Sequence, residues 1–215
     1  LAQIFPEWTN RLPLYTAAAL FVVVVGIVGI IWYYFSPWYT DVGYQPIQPV
    51  PFSHKVHADD LGLDCRYCHN LVEVSPHANI PPTQTCMNCH KLIKADSEKL
   101  TMIRESWETK TPMRWIRVHK LPDYAYFNHS AHLRAGVGCA SCHGNIAVLE
   151  VIRQKKPLSM SWCLNCHKNP DMHIRPISEI TNMEWEPPDN QLEFAKRAMA
   201  ERNINPTIDC SGCHR

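Results

Sequence analysis

Apolar and polar positions divide this chain into two unequal parts. From Leu14 to Phe35 it reads LYTAAALFVVVVGIVGIIWYYF, 22 residues without a charge. A run of that length crosses the hydrocarbon of a bilayer as one helix. Trp8 lies on one side of it, and Trp32, Tyr33, Tyr34, Trp38 and Tyr39 gather at the other, as an interfacial aromatic belt does. Pro13 stands near the start, where its missing N–H costs little. Ser36-Pro37 closes the run, because the residue before a proline is pushed out of the helical region. A cleaved signal peptide has an apolar core of about 7–15 residues followed by small residues. This run is longer and ends in aromatics, which predicts a retained anchor.

The pattern beyond is weaker. Asp41 to Phe52 (DVGYQPIQPVPF) is proline-rich and uncharged after its first residue, which predicts a stiff extended linker. Between Lys91 and Lys110, Leu92, Ile93, Leu100, Ile103 and Trp107 recur at helical spacing, and Thr111-Pro112 ends the helix they predict. A second helix is expected from about Gln191 to Asn203, with Asn190 and Glu193 as a capping box and Glu193 to Arg197 as an i,i+4 pair. Ile146 to Ile152 is apolar and β-branched, and reads as a short strand.

The ten cysteines change the picture. All of them fall into five copies of Cys-x-x-Cys-His: Cys65–Cys68–His69 (I), Cys86–Cys89–His90 (II), Cys139–Cys142–His143 (III), Cys163–Cys166–His167 (IV) and Cys210–Cys213–His214 (V). Zinc sites use paired cysteines but do not need a histidine directly after each pair, and a disulfide framework gives no reason for that histidine. A thioredoxin-like motif would occur once, beside a βαβ pattern. The spacing is that of c-type haem attachment, with two thioether bonds and the adjacent histidine as proximal iron ligand. Five covalent haems c are expected. With roughly 35 residues for each haem after Thr40, the groups themselves must supply much of the core. The expected fold is a multihaem cytochrome c, mostly irregular loops and a few short α-helices wrapped around five haems, plus one N-terminal transmembrane helix. The formal charge of +1 becomes more negative once haem propionates are counted, so a basic nucleic-acid surface is not indicated.

Seven histidines lie outside the motifs: His54, His57, His77, His119, His129, His132 and His173. An electron-transfer haem fills both axial positions from the protein, so these are the candidate distal ligands. Phe52-Ser-His54-Lys-Val-His57 precedes motif I and Phe127-Asn-His129-Ser-Ala-His132 precedes motif III. Residues at i and i+3 share a helix face, so each pair can serve two haems. His119 and His77 follow as candidates. Met160 and Met183 are the thioether candidates, above all for the fifth haem, which lacks a Phe-x-His-x-x-His of its own. The recurrence predicts two related two-haem modules, about 52–110 and 127–175, with a fifth haem appended. The domain organisation is then 1–39 with the anchor at about 14–35, a linker at 40–52 and a pentahaem domain at 53–215. Arg11 is the single basic residue before the anchor, and covalent haem attachment takes place on the outer face of energy-transducing membranes. Both place the N-terminus inside and the haem domain on the periplasmic side of the inner (cytoplasmic) membrane.

The Phe-x-His-x-x-His and Cys-x-x-Cys-His arrangement resembles the class III multihaem cytochromes. More narrowly, Trp115 to His132 (WIRVHKLPDYAYFNHSAH), His77-Ala-Asn-Ile-Pro-Pro82 and Leu158-Ser-Met160-Ser-Trp-Cys163 resemble the pentahaem subunit of alternative complex III. That resemblance implies an electron-transfer subunit, not an enzyme by itself, within a quinol:electron-acceptor oxidoreductase. It also implies as neighbours polytopic quinol-binding membrane subunits, an iron–sulfur subunit and a monohaem cytochrome c. The rival reading is a stand-alone membrane-anchored quinol dehydrogenase. Those proteins carry a methionine two residues after the first motif, where this chain has Leu71. A catalytic multihaem reductase would use a lysine in place of one motif histidine, and all five motifs here end in histidine. A haem subunit feeding a periplasmic reductase or molybdopterin enzyme is a further alternative. No nucleophile arrangement, paired carboxylates or phosphate loop stands out.

Overall fold

The computed structural model describes residues 4–214, so the first three residues and the last residue of the expected domains lie outside the described residues. The chain forms two units, 1–41 and 42–215.

In the first unit, a 3-10 turn at Glu7–Arg11 runs into helix α1, Leu12–Tyr34, with Pro13 in its opening turn. At 1.5 Å per residue, its 23 residues measure about 34 Å, slightly more than a bilayer's hydrocarbon. No side chain of α1 is buried within the unit and its apolar surface runs all round, the pattern of a helix whose surroundings are apolar on every side. It is long and apolar enough to cross a membrane. Tyr33, Tyr34 and the Tyr39 ring of α2 (Pro37–Thr40) cluster at its end with centroids 4.6–5.6 Å apart.

Among the described residues, the second unit holds eight short helices, α3 (Cys65–Cys68), α4 (Thr83–His90), α5 (Thr101–Thr109), α6 (His129–Ala135), α7 (Cys139–His143), α8 (Met160–Lys168), α9 (Gln191–Glu201) and α10 (Cys210–Cys213), joined by 3-10 turns and irregular chain. There is no β-strand among the described residues, only isolated bridges at Ala125–His214 and Val137–Ile174. Among the described residues, few apolar side chains are buried. They include two small clusters, Val50–Met87–Ile103 and Val72–Leu133–Ile180. Polypeptide alone gives this unit too little core for its length.

Three expectations are corrected. The helix expected over Lys91–Lys110 is confined to α5, with a 3-10 turn at Glu98–Leu100 ahead of it and left-handed residues at Lys94 (φ 52°) and Lys110 (φ 58°). His90 Nδ1 engages the Ile93 carbonyl, and Arg104 takes those of Ala95 and Ser97. Carbonyls bound in this way do not serve a helical ladder. Ile146–Ile152 is not a strand, because its neighbours reach it through single scattered bonds, such as Lys55 N–H to the Leu149 carbonyl and Gln45 Nε2 to that of Val151. At α9, Asn190 makes no side-chain cap and Glu193 makes no ion pair with Arg197. The helix is instead fixed by buried Gln191, whose amide donates to the Ile174 and Asp171 carbonyls. The proline-rich segment at 42–52 is held along its own unit: Gln48 both donates to and accepts from the Ile116 backbone, and Val50 is buried.

Candidate haem-binding centres

Each Cys-x-x-Cys-His motif forms one helical turn, in α3, α4, α7, α8 and α10. A turn puts the two thiols at i and i+3 on one face and the histidine directly after. An extended residue stands directly before each of these five helices: Asp64, Pro82, Gly138, Ser159 and Asp209. Asp64 and Ser159 cap theirs, accepting from the N–H groups of Arg66 and Trp162. All ten thiols are free of disulfides.

The imidazoles share one hydrogen-bonding habit. Among the motif histidines, His69 Nδ1 contacts the Asn79 carbonyl at 2.7 Å, His90 that of Ile93 at 2.9 Å, His167 that of Thr207 at 2.6 Å and His214 that of Tyr124 at 3.1 Å. Outside the motifs, His57 Nδ1 contacts the Ser53 carbonyl, His129 that of Pro76 and His132 that of Asn128, at 2.7–2.8 Å. A carbonyl only accepts, so Nδ1 carries the proton and Nε2 keeps its lone pair. This is how proteins orient histidines that ligate metals. Burial lowers the basicity of His54 and His119, each to about 4, and of His143 to about 3. His129 and His132 are also lowered, again by burial first. Neutral imidazole is the ligating form.

Ring separations test whether iron fits. Two imidazole nitrogens each about 2 Å from one metal put the ring centres about 6 Å apart. His57 and His90 lie 6.2 Å apart, His132 and His167 6.1 Å, and His129 and His143 6.4 Å with ring planes within 5°. The residues fit bis-histidine haem. The aromatic residue of the Phe-x-His-x-x-His repeat has the same task twice. Phe52 stacks on His57 at 4.5 Å and meets His54 edge-on at 4.9 Å. Phe127 stacks on His132 at 4.4 Å and meets His129 edge-on at 4.7 Å. His54 ends the approach to a π-helical turn at Lys55–Asp60, whereas His129 opens α6. The backbones differ while the ring geometry recurs.

The remaining candidates are placed as follows. His119 lies edge-on to His143 at 4.3 Å, closer than one iron between them allows, and its Nε2 is buried without a partner, as is Nδ1 of His54 and of His143. His77 is exposed. His173 is half-buried beside Lys156 and Arg175. Met160 is exposed at the start of α8. Met183 lines a cavity of about 340 Å³ together with Asp64, Cys65 and Asn145, so the structure sets it beside motif I. The Cys65 and Cys139 thiols are hydrogen-bonded, which holds Cys65 down at about 7 and pushes Cys139 up, while burial raises Cys142 to about 12.

Sequence reasoning missed the carbonyls that orient the rings, since any residue supplies a carbonyl and only the fold says which. It also missed Arg175. This side chain is buried, stacks on Trp185 at 4.4 Å and donates to the Asn182 carbonyl. Its guanidinium occupies the space that a Cβ on Gly138 would need.

Ten free thiols in five equivalent turns, each followed by an imidazole, define a multihaem c-type electron-transfer protein. Comparison with known families agrees: residues 39–123 match the class III cytochrome c family, and residues 125–215 match cytochrome c7 and related cytochromes c. The chain is 30% identical over 148 residues, 58% of its own length and 70% of the relative's, to the menaquinone reductase multihaem cytochrome c subunit of Nitratidesulfovibrio vulgaris. It belongs to this class III and c7-like family of multihaem cytochromes c, whose haems are covalently bound.

Proposed function

We propose that the chain holds five haems c and carries electrons within a membrane-bound quinol:acceptor oxidoreductase of the alternative complex III type. The observation that supports this best is the fivefold recurrence of one attachment turn, beside imidazoles whose Nε2 lone pairs are directed by backbone carbonyls. Bound haem supplies the one-electron chemistry. The chain's residues do the rest. The cysteines of motifs I–V tether the groups, and His69, His90, His143, His167 and His214 ligate from the proximal side. His57 completes site II, His129 site III and His132 site IV. His54, whose basicity is lowered first by burial and then by the charge of His69, completes site I. Helix α1 anchors the domain on the periplasmic face, in two two-haem modules plus a fifth site. Polytopic quinol-binding subunits, an iron–sulfur subunit and a monohaem cytochrome c are the proposed neighbours. Quinol is not bound by this chain itself, because α1 carries no ionisable side chain except Tyr15, Tyr33 and Tyr34 near its ends, and intramembrane redox sites need polar groups.

The menaquinone reductase relative favours a second reading, in which electrons run the other way, from a periplasmic donor to quinone. Potentiometric titration separates the two. Haems that accept from quinol titrate at or above the quinol couple, and haems that feed quinone titrate at or below it. Intact mass checks the haem count: five groups add roughly five times 616 Da, and a smaller increment refutes the count. Fast, inhibitor-sensitive reduction of the isolated chain by a quinol analogue would overturn the subunit assignment.

A further inference from the structure

The five motifs do not pack in the order in which they occur along the chain. Motif I touches motif II through Asn88, whose amide donates to the Tyr67 hydroxyl at 3.2 Å, with both residues lying inside the two Cys-x-x-Cys turns. Motif I is also stitched to motif III. The capping residue Asp64 accepts from the Thr181 hydroxyl at 3.1 Å, and the neighbouring Ile180 carbonyl accepts from the Cys139 N–H at 3.0 Å. Val72 from the chain after motif I packs with Leu133 of α6 and with Ile180.

Motifs III and IV are joined by α6, one turn of which presents His129 to His143 and His132 to His167. Motifs IV and V meet at Thr207. Its carbonyl holds His167 Nδ1, and its side chain fills the space beside Gly212 inside the last motif. Motif II, by contrast, is packed into a separate cluster, Met87 with Val50 and Ile103, to which motifs III, IV and V contribute nothing.

We infer that the attachment sites stand in a row II–I–III–IV–V, so that site I, not site II, joins the first pair to the rest and sites II and V are the two ends. The inference rests on the five-haem reading. It has a structural consequence for the first module: its two sites are reversed relative to the chain, so an electron introduced at site II reaches the others only through site I. In the order of the sequence, site II would be the bridge and site I the end.

The test uses the full chain in detergent. Leu92, two residues beyond His90 and 89% exposed, is replaced by cysteine and labelled with a ruthenium polypyridyl photoreductant. A sacrificial amine supplies the electron that a flash delivers to site II, and freeze-quench paramagnetic resonance follows which ferric signals disappear. In the pentahaem chain the loss should spread over several signals. With Cys65→Ala and Cys68→Ala, which remove site I, it should be confined to one signal. Spread that persists in this variant overturns the order. With Cys210→Ala and Cys213→Ala, spread among the other four should continue, and its arrest removes site V from the end. Iron positions from anomalous scattering of the unaltered chain decide the matter without a variant: irons I and III as neighbours support the row, and II and III as neighbours refute it. Intact mass of the labelled parent reads the haem count separately, so a failed count is told apart from a failed order.

Discussion

His132 is the residue whose removal reads the ligand pairing most directly. Its ring faces His167 at 6.1 Å, its Nδ1 is held by the Asn128 carbonyl at 2.7 Å and its face stacks on Phe127 at 4.4 Å. Replacing it with alanine removes one net hydrogen bond, worth about 1 kcal/mol, and one aromatic contact, worth about 1 kcal/mol. A loss of about 2 kcal/mol is within what a domain tolerates, and covalent attachment at Cys163 and Cys166 is untouched. On the proposed five-haem reading, the chain should therefore retain every haem while one iron of five loses its sixth ligand. Low-spin ferric intensity in paramagnetic resonance should fall by about one fifth, and about one more cyanide should bind per chain than in the parent. His132→Met should behave differently. It restores a sixth ligand, keeps the low-spin count and raises the potential of a single haem. If both variants leave the spectra, the titration and the cyanide stoichiometry unchanged, His132 is not a ligand, and the argument from ring spacing and Nδ1 anchoring fails with it.

Three further outcomes are expected. Gly138→Ala places a Cβ against the Arg175 guanidinium, and displacing that buried stack should cost about 1–3 kcal/mol in denaturant unfolding, with impaired haem incorporation at motif III seen by mass. Asp64 is held at about 2, below its ordinary 3.8, first by its hydrogen bond with Arg66. A lowered carboxylate contributes stability above its unfolded pKa and loses it as pH falls through the folded one. Asp64→Asn should therefore cost about 0.5 kcal/mol at neutral pH for this largely exposed pair, and urea midpoints of variant and parent should converge as the pH falls from about 4 to about 2. If α1 is a retained anchor, alkaline carbonate should leave the intact chain in the membrane, and deletion of residues 4–41 should release a soluble haem protein. Quantitative release of the intact chain by carbonate would mean that α1 does not span.

What the sequence determined by itself is what covalent spacing and hydropathy encode locally. A Cys-x-x-Cys-His motif needs only five consecutive residues and one helical turn, so each of the five was legible without a fold. An uncharged stretch the length of α1 is equally local. The Phe-x-His-x-x-His repeat announced paired imidazoles, and it left open which imidazole each would face. That choice, and much else, belonged to the tertiary structure. The extent of α5 was misread because Arg104 and His90 claim carbonyls that apolar periodicity cannot see. The apolar run at Ile146–Ile152 had strand composition but met no partner edge. The carbonyls of Asn79, Pro76, Thr207 and Tyr124 became ring anchors because folding brought them within 3.1 Å of an Nδ1, up to 90 residues away in the case of His214. The meeting of motif I with motif III depends on Asp64 and Thr181, which are 117 residues apart. Attachment chemistry is written in neighbours along the chain, while ligand partners and site order are set by contacts between distant segments, and those exist only once the chain has folded.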